Sequence, residues 1–588
     1  MRLLARLAVL AALACASLVQ AQSAPWVGGE RALGPKSVEV PQLRLSTQAK
    51  AVATHIELAP PDAADMAALR ARNQGSMRAK RVAIGVNRAL ESIARTRGSD
   101  LAWSRVDGGS AAQASVTSSG AAAMRVSIAL QGVPADVQMV FFGSADPSRL
   151  FGPVRVGDIA DRTQPWWSPV TEGETQTVEF FAPGASAADA RALEITGASH
   201  LFAGPSSSFT KLVQDIGHSG ACNVDVMCSS LLTSMAFDDA VESVAQMLIT
   251  EGSSTFLCTG TLLNDSDPAT QVPYFFSANH CFDNENPPYK TPTQMQAVAN
   301  TLTTIWHFQA AACHSSTPAT NWTQVAGGAQ YLYSSATQDA LFLRLNNAPA
   351  AGSWFLGWDA GTIAASTSVA VIHHPSGDLK KVSLGSMLRL TSQGVGGGNI
   401  PFYEVGYNSG TTEPGSSGAA LLTNNGSQYL LRGALWGGLA ACDAITASDY
   451  YSRFDLVYPS ISQYLGTAGS AIDYTDLWWG GESQSGWGLN LIQHATRNIF
   501  AVWYTYDATG RMMWYVLPGG TWTSSNVFTG AVYATTGPSA SAATFNAAAV
   551  TRRAVGSGTL TFSDANNGTF AFTIDGVSGT KSITRQPY

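Results

Sequence analysis

Two short segments of the sequence carry side chains that could perform acyl transfer. The first is Glu413-Pro-Gly-Ser-Ser-Gly-Ala-Ala-Leu-Leu, in which two serines stand between glycines directly before an apolar run. Glycines at these positions let the backbone turn tightly, expose a hydroxyl group and point neighbouring N–H groups at one spot, as an oxyanion hole requires. Ser/Gly loops are abundant in this chain, so this segment alone also fits a flexible turn.

The second segment is Tyr274-Phe-Phe-Ser-Ala-Asn-His280-Cys281, which places a histidine and a cysteine directly after an apolar strand. Cys258 lies in the neighbouring apolar run and offers a disulfide partner for Cys281. Such a disulfide would close a loop of some two dozen residues, worth about 3 kcal/mol, and would hold His280 against the sheet. A lone histidine would more often be structural, but the cysteine pair beside it makes His280 a candidate for general acid–base catalysis.

A serine and a histidine that act together need a carboxylate to fix the tautomer of the imidazole ring. Asp339 stands directly before the apolar run Ala-Leu-Phe-Leu-Arg-Leu and is the candidate we favour. Asp359, in Gly357-Trp-Asp, is a rival, but it does not precede a comparable strand.

These candidate residues belong to a long chain. It has 588 residues, of which 13% are charged and 45% hydrophobic, and it contains 56 glycines. This length allows two to four domains with ample cores, and it excludes a disordered tail or a disulfide-stabilised miniprotein. The net charge of -7 argues against nucleic acid as a constitutive partner.

The extreme N-terminus has the pattern of a secretory signal over residues 1–21. The apolar run 7–18 follows two arginines and ends in Val19-Gln-Ala, a small-x-small cleavage pattern. A membrane anchor is the alternative, but the run is too short to span a bilayer comfortably. A lipoprotein signal at Cys15 is weaker, because Ala12 stands where a large aliphatic residue is usual. We therefore expect a secreted protein with no membrane attachment after signal removal.

Removal of the signal leaves six cysteines, all in the middle of the chain, and an even number in an exported protein predicts three disulfides. The charge changes at similar positions. Residues 22–211 hold 19 Lys+Arg against 17 Asp+Glu, residues 212–470 hold 7 against 18, and residues 471–588 hold 6 against 6. The sequence therefore predicts an acidic, disulfide-bonded middle domain between two flanking segments.

Hydrophobic periodicity gives each segment a fold class. In residues 22–211, helical spacing over 62–94 predicts a helix or helix pair, and later alternating runs predict a small sheet or sandwich, so this segment is mixed α+β. Residues 212–466 show many short strands between turn residues, which fits a barrel or double barrel. Residues 467–588 form a separate small β module rich in tryptophan, for which buried packing or a sugar- or polymer-binding surface are the two explanations.

These patterns together resemble the trypsin/chymotrypsin-like serine proteases and, within them, the bacterial lysyl endopeptidases. The matching segments lie in order between about 220 and 455: Cys222-Asn-Val-Asp-Val-x-Cys228, Cys258-Thr-Gly-Thr-Leu, Phe276-x-Ala-Asn-His280-Cys281, Asp339-x-x-x-Leu, Gly357-Trp-Asp359, Ile372-His-His-Pro375, Glu413-Pro-Gly-Ser-Ser-Gly418 and Ser448-Asp449-x-Tyr-x-Arg453.

The resemblance implies an all-β, double β-barrel protease domain over residues 212–466 that needs no cofactor. It implies His280 as general base and acid, Asp339 as its orienting carboxylate and Ser417 as nucleophile, with the backbone N–H groups of Gly415 and Ser417 as the oxyanion hole. The disulfide pairs it implies are Cys222–Cys442, Cys228–Cys313 and Cys258–Cys281.

The resemblance also implies specificity for a basic residue at P1, the residue before the cleaved bond. Asp449 matches the aspartate at the base of the S1 pocket, where an unpaired buried carboxylate penalises neutral side chains. Asp443 and Asp455 are nearby competitors.

The family has histidine where Trp436 stands, beside Gly437 and Gly438 at the edge of the cleft. Because of that departure, the sequence allows arginine as well as lysine at P1. The expected partners are therefore protein or peptide substrates with either residue.

Residues 22–211 resemble the propeptide of such secreted bacterial proteases, and their basic surplus would favour docking on the acidic protease domain. We expect self-cleavage after Lys211, which would release the propeptide.

No metal is expected: there is no His-Glu-x-x-His, and His373 and His374, adjacent on a strand, point to opposite faces. The alternative function is a catalytically silent, protease-like scaffold that acts as a secreted binding or adhesion protein.

Overall fold

The structure is a computed structural model. It describes residues 25–33, 40–45, 54–74, 79–90, 95–187, 189–204, 219–229, 234–267, 270–283, 287–395, 398–465, 474–493, 498–524, 526–539 and 544–587. The predicted signal peptide, the predicted cleavage site at Lys211 and the stretch 466–473 lie outside these residues. Within the described ranges, no helix combines the length and the apolar character needed to cross a membrane.

The N-terminal region forms two sheets that face each other, whereas its first two strands pair with strands of the middle region. Its elements are β1 Trp26–Val27, β2 Glu30–Arg31, β3 Thr54–Leu58, α1 Ala63–Gln74, β4 Val82–Ala89, β5 Thr96–Arg97, β6 Ser104–Val106, β7 Gly109–Ser118, β8 Ala123–Ala129, β9 Gln138–Gly143, β10 Phe151–Arg155, β11 Trp166–Trp167, β12 Thr171–Glu172, β13 Thr175–Pro183 and β14 Glu194–Leu201. One sheet has the order β10-β9-β13-β7-β3, and the other includes β11-β8-β14-β4. Side chains of both sheets, such as Val178 and Val126, share one buried apolar core.

The helix predicted over 62–94 is wrong in its second half. Helix α1 ends at Gln74, and the later residues form strand β4. In that strand Val82, Ile84 and Val86 are buried, and the strand lies between β17 (Ser254–Leu263) and β14. Packing between two neighbouring strands overrides the local helical spacing, and β-branched residues suit such a site.

The middle region contains two barrels. Its elements are β15 Val224–Asp225, α2 Met235–Glu242, β16 Val244–Glu251, β17, β18 Tyr274–Ser277, α3 Pro292–Ala299, β19 Thr303–Trp306, β20 Thr323–Ala326, β21 Ala329–Ser335, β22 Ala340–Leu345, β23 Trp354–Phe355, β24 Gly357–Asp359, β25 Ser368–His373, β26 Lys381–Val395, β27 Gly398–Ser409, β28 Ala420–Asn424, β29 Tyr429–Gly438, β30 Ser448–Ser452 and α4 Phe454–Leu465.

The two barrels have the double β-barrel, chymotrypsin-like arrangement that the sequence predicted. The second closes as a ring, β29-β28-β25-β26-β27-β30, because β30 also pairs with β29. The first is built on β19-β16-β17-β18-β22-β21. A large apolar core containing Phe276, Ile372 and Phe454 lies where the barrels and helix α4 meet.

Strand β4 of the N-terminal region joins the first barrel. It pairs antiparallel with β17, with Ser254 opposite Val86 and Leu257 opposite Val82. Because its other edge pairs with β14, one continuous sheet runs from the N-terminal region into the protease-like barrel.

The C-terminal region is a nine-stranded sheet of its own. Its strands are β31 Asp476–Trp479, β32 Gly488–Gln493, β33 Ile499–Tyr506, β34 Met512–Leu517, β35 Thr521–Ser524, β36 Val527–Thr536, β37 Thr551–Phe562, β38 Asn567–Ile574 and β39 Val577–Arg585. Pairing of β34 with β36 closes eight of them into a barrel. Trp478 and Trp503 lie in its core, whereas Trp514 is 62% exposed.

Candidate active site

Ser417 lies in a turn whose backbone conformation requires glycine at positions 415 and 418. Gly415 and Gly418 have φ angles of 99° and 83°, in the left-handed region. A Cβ atom at Gly418 would lie 2.0 Å from Ser277 Oγ and 2.3 Å from Thr259 O. The first barrel thus packs directly against the turn, and the Thr259 N–H donates to Ser417 O at 2.8 Å. These contacts fix the direction of the Ser417 hydroxyl.

His280, Asp339 and Ser417 come together at the junction of the two barrels. His280 Nε2 lies 2.7 Å from Ser417 Oγ, and its Nδ1 lies 3.0 Å from each carboxylate oxygen of Asp339. The His280 backbone N–H also donates to Asp339 Oδ1 at 3.1 Å. All three side chains are buried. This chain of hydrogen bonds can move a proton from a hydroxyl to an imidazole whose positive charge a carboxylate stabilises.

The rival carboxylate Asp359 lies elsewhere. It forms an ion pair with Arg432, at 2.9 Å between Oδ2 and Nη1, and accepts from the Gly361 N–H. It therefore supports a loop of the second barrel and does not contact His280.

The structure joins the six cysteines in the pairs that the resemblance implies: Cys222–Cys442, Cys228–Cys313 and Cys258–Cys281. Cys258 lies on β17, and Cys281 directly follows His280, so the third disulfide holds the histidine to the first barrel.

Replacing both Cys258 and Cys281 by serine tests this role. We expect the free energy of unfolding to fall by about 3 kcal/mol or more, because a loop-closing cross-link is lost and two buried sulfurs become hydroxyls. Denaturant unfolding of the purified protein measures the change. The matched control is the Cys228/Cys313 double serine variant: both of its sites are far in sequence from His280, so its peptidase activity should fall much less. Equal losses of activity in the two variants would contradict the role.

A second cluster surrounds Asp449, which is fully buried between the strands of the second barrel. Its Oδ1 accepts from the Ala440 N–H at 3.2 Å, and its Oδ2 accepts from Tyr407 Oη at 3.1 Å and from the Thr412 hydroxyl. A Cβ atom at Gly438 would lie 2.3 Å from Asp449 Oδ1, so the glycine leaves room for the carboxylate. Burial and the neighbouring Asp449 carboxylate raise the pKa of Tyr407 well above its usual value.

The Asp449 cluster holds a lysine of the same chain. Lys80 Nζ lies 2.9 Å from both carboxylate oxygens of Asp449, 2.9 Å from the carbonyl oxygens of Thr412 and Ala440, and 2.6 Å from Thr412 Oγ1. Lys80 is 5% exposed. Burial lowers the pKa of its amino group, and the Asp449 carboxylate opposes that decrease.

The backbone of Lys80 lies across the Ser417 turn. Its carbonyl oxygen accepts from the Gly415 N–H, and from the Ser417 N–H at 3.3 Å. Its own N–H donates to Trp436 O at 3.4 Å, and Ala79 forms an antiparallel bridge with Gly437. The two N–H groups predicted as an oxyanion hole thus both donate to the carbonyl oxygen of Lys80. The strand edge from Trp436 to Gly438 pairs with the extended backbone of Ala79 and Lys80.

The Trp436 side chain packs into the barrel surface beside the site. It stacks on Phe402 with ring centroids 5.2 Å apart and planes 16° apart, and Tyr450 lies against both rings. This stack steadies the strand whose carbonyl oxygen accepts from Lys80.

Comparison with known proteins now decides the family. Residues 57–202 match the family described as "Lysyl endopeptidase N-terminal domain", and residues 216–452 match "Lysyl endopeptidase, C-terminal domain". A lysyl endopeptidase from Pseudomonas aeruginosa is 35% identical over 398 residues, which are 65% of this chain and 80% of that relative. The chain belongs to the lysyl endopeptidase family. It is a serine endopeptidase, and its substrates are proteins or peptides.

Solved structures of two proteases also resemble part of this family member. The active form of the Rv3671c protease from M. tuberculosis has a TM-score of 0.26 at 14% identity, over 44% of this chain and 94% of that chain. The MamO protease domain from Magnetospirillum magneticum has a TM-score of 0.25 at 10% identity, over 38% of this chain and 98% of that chain. Because these scores are low, the double-barrel assignment rests on the strand pairing and the family.

Sequence reasoning missed several residues of the site in this family member. Thr412 and Tyr407 contact the Asp449 carboxylate, and Ala440 supplies a carbonyl oxygen, yet none lies in a segment that the resemblance identified. Lys80 was also missed. The one signal in the sequence that could have identified Lys80 is that few other lysines stand near it. Its position in the site could not be predicted, because that position depends on the pairing of β4 with β17.

Of the competing aspartates, Asp455 bonds to Tyr403, Arg453 and Thr362, away from Lys80. Asp443 is exposed. Of these three aspartates, Asp449 is the one that contacts a lysine ammonium group, that of Lys80.

Proposed function

We propose that this protein is a secreted endopeptidase that cleaves peptide bonds after lysine. Ser417 attacks the carbonyl carbon of the cleaved bond, and His280 first accepts the hydroxyl proton and then donates it to the leaving amine. Asp339 holds the imidazole tautomer and stabilises the imidazolium ion. The N–H groups of Gly415 and Ser417 stabilise the oxyanion of the tetrahedral intermediate. The 2.7 Å and 3.0 Å contacts of His280 support these roles.

The observation that carries the lysine specificity is the direct contact between the Lys80 ammonium group and Asp449. Lysine carries a compact charge with three donors, and the pocket offers oxygens of Asp449, Thr412 and Ala440 around one point. Because the Lys80 side chain already contacts the Asp449 carboxylate, the pocket has no space for a longer P1 side chain such as arginine. Arginine, whose charge lies on a planar fork, must move the pocket wall to enter.

The compact pocket at Asp449 predicts a preference for lysine over arginine at P1. We expect kcat/KM for a Lys peptide to exceed that for the matched Arg peptide by about 10- to 100-fold, because overpacking of a rigid site costs about 1–3 kcal/mol. Steady-state kinetics of the mature enzyme on two peptides that differ only at P1 measures the ratio. Equal rates on the two peptides would contradict the proposed fit.

The proposed function also gives a role to the two segments that precede the protease domain. Residues 1–21 are the secretion signal, and residues 22–211 are the propeptide, released by a cut after Lys211. The extension of β4 into the first barrel supports a propeptide that folds together with the protease domain. N-terminal sequencing of the secreted enzyme tests this assignment, and a mature start far from residue 212 would contradict it.

The alternative, a silent scaffold with a binding or adhesion role, requires a disrupted site. The hydrogen bonds from Ser417 to His280 and from His280 to Asp339 argue against it. Hydrolysis of a Lys ester by the secreted protein tests the proposed function, and an inert secreted protein would favour the scaffold.

A further inference from the structure

Lys80 is bound as a substrate would be, on the side that precedes the cleaved bond. Its side chain fills the pocket at Asp449, its N–H donates to Trp436 O, and Ala79 extends the strand edge at Gly437. Main-chain pairing of this kind is how a sheet edge binds an extended peptide. The side-chain contact, the backbone hydrogen bond and the Ala79 bridge therefore all place Lys80 at the P1 position.

The carbonyl oxygen of Lys80 is held by the two N–H groups that are proposed as the oxyanion hole. It accepts a hydrogen bond from each of them, while Ser417 Oγ stays 2.7 Å from His280 Nε2. A carbonyl oxygen bound by these N–H groups, together with a serine hydroxyl bonded to histidine, is the arrangement that nucleophilic attack requires.

The residue after Lys80 is bound just as firmly. The Arg81 guanidinium group lies 3.1 Å from Glu251 Oε2 and 3.2 Å from Cys281 O, and it stacks over the Phe256 ring at 3.9 Å from the centroid. Beyond it, β4 pairs with strands on both edges. The bond between Lys80 and Arg81 is thus fixed on both sides.

We propose that the Lys80–Arg81 bond is an internal processing site, cut by the active site of the same molecule. This inference rests on the proposed function. It adds a cleavage within the N-terminal region, distinct from the proposed cut after Lys211.

The chemistry balances with one water molecule. Ser417 Oγ forms an ester with the Lys80 carbonyl carbon, the C–N bond to Arg81 breaks, and the hydroxyl proton passes through His280 to the Arg81 amine. Water then attacks the ester carbon: its hydroxyl bonds to that carbon, the bond to Ser417 Oγ breaks, and its proton passes through His280 to Ser417 Oγ, which leaves Lys80 with a free carboxyl group. Because β4 stays paired in the sheet, the new amine remains near the ester, where it can re-form the bond.

The test uses two full-length chains that start uncut. Unlabelled wild-type chain and ¹⁵N-labelled Ser417→Ala chain are recovered unfolded, mixed and refolded together in a thiol–disulfide buffer. Samples are quenched in acid, which stops resealing, and analysed by mass spectrometry. We expect a fragment that ends at Lys80 from the unlabelled chain only, formed at a first-order rate that does not change with protein concentration.

Two further full-length variants sharpen the result. Lys80→Arg should lower the rate of the same cut by about tenfold or more, because the guanidinium group fits the pocket poorly. Lys581→Gln, on the C-terminal barrel, is the matched control and should be cut at the wild-type rate. Thermal unfolding of each refolded chain establishes that it has folded.

Three results would overturn the inference: a labelled fragment equal to the unlabelled one, a rate proportional to concentration, or an intact Lys80–Arg81 bond in the folded wild-type chain. Hydrolysis of a Lys ester by the secreted enzyme is measured separately. If that hydrolysis is present and the bond stays intact, the internal site is wrong and the proposed function stands; if both are absent, both fail.

Discussion

Replacing Ser417 by alanine is expected to lower kcat on a Lys peptide by about 10⁶-fold, since removal of the nucleophile from a serine protease triad costs about that much. The hydroxyl is the one nucleophilic group that His280 Nε2 contacts among the described residues, at 2.7 Å. The proposed oxyanion hole is made of backbone N–H groups and survives the substitution. A residual rate above that of water therefore remains, while KM stays near its original value.

A double variant makes the Ser417→Ala result specific. The double variant Ser417→Ala, His280→Ala should be no slower than the single one, because the two side chains act as a unit. Stopped-assay kinetics with a Lys p-nitroanilide measures all of these rates. A double variant far slower than either single variant would contradict a shared role.

Ser416 is the matched control, since it is the neighbouring serine of the same turn. Its hydroxyl lies 2.8 Å from His373 Nδ1, and His373 Nε2 lies 3.1 Å from Ser383 Oγ. Burial lowers the pKa of His373 to about 3, so the ring is neutral and needs both partners. Ser416→Ala should cost about 1–3 kcal/mol of stability through an unpaired ring nitrogen, with a far smaller effect on kcat than Ser417→Ala.

The sequence allowed prediction of the parts of the site that local residue types dictate. Glycines around Ser417 are needed for positive φ angles and close packing, and Cys281 beside His280 ties the histidine to β17. These requirements are visible in short segments. The choice of Asp339 over Asp359 was also favoured from the sequence, because Asp339 directly precedes an apolar strand.

What the sequence did not reveal depends on contacts between distant segments. Strand β4 has helical spacing, and it becomes a strand because β17 and β14 bind both of its edges. Lys80 precedes that strand, so its position in the pocket follows from the pairing of β4 with a strand whose residues, such as Leu257 opposite Val82, are far away in sequence. The same holds for Thr412 and Ala440, whose oxygens meet only when the second barrel closes.

Asp449→Asn is expected to lower kcat/KM for Lys peptides by at least about 100-fold. Asparagine is close to aspartate in shape but has no charge, so a buried lysine ammonium group would lose its counter-ion, a loss that costs about 3–5 kcal/mol. The NH2 group of the new amide would also face one of two donors, the Ala440 N–H or the Tyr407 hydroxyl, which now meet different carboxylate oxygens at 3.2 Å and 3.1 Å. Steady-state kinetics on one Lys peptide and its neutral P1 analogue measures both the loss and the change in preference.

The control for Asp449→Asn is the same substitution at the exposed Asp443, which removes one negative charge close by in sequence without touching the pocket. It should leave kcat/KM within about twofold, since exposed charges act weakly through solvent. If Asp443→Asn lowered the rate as much as Asp449→Asn, general surface charge would explain the preference for basic residues. A difference of two orders of magnitude between the variants would instead place recognition at the carboxylate that Lys80 contacts.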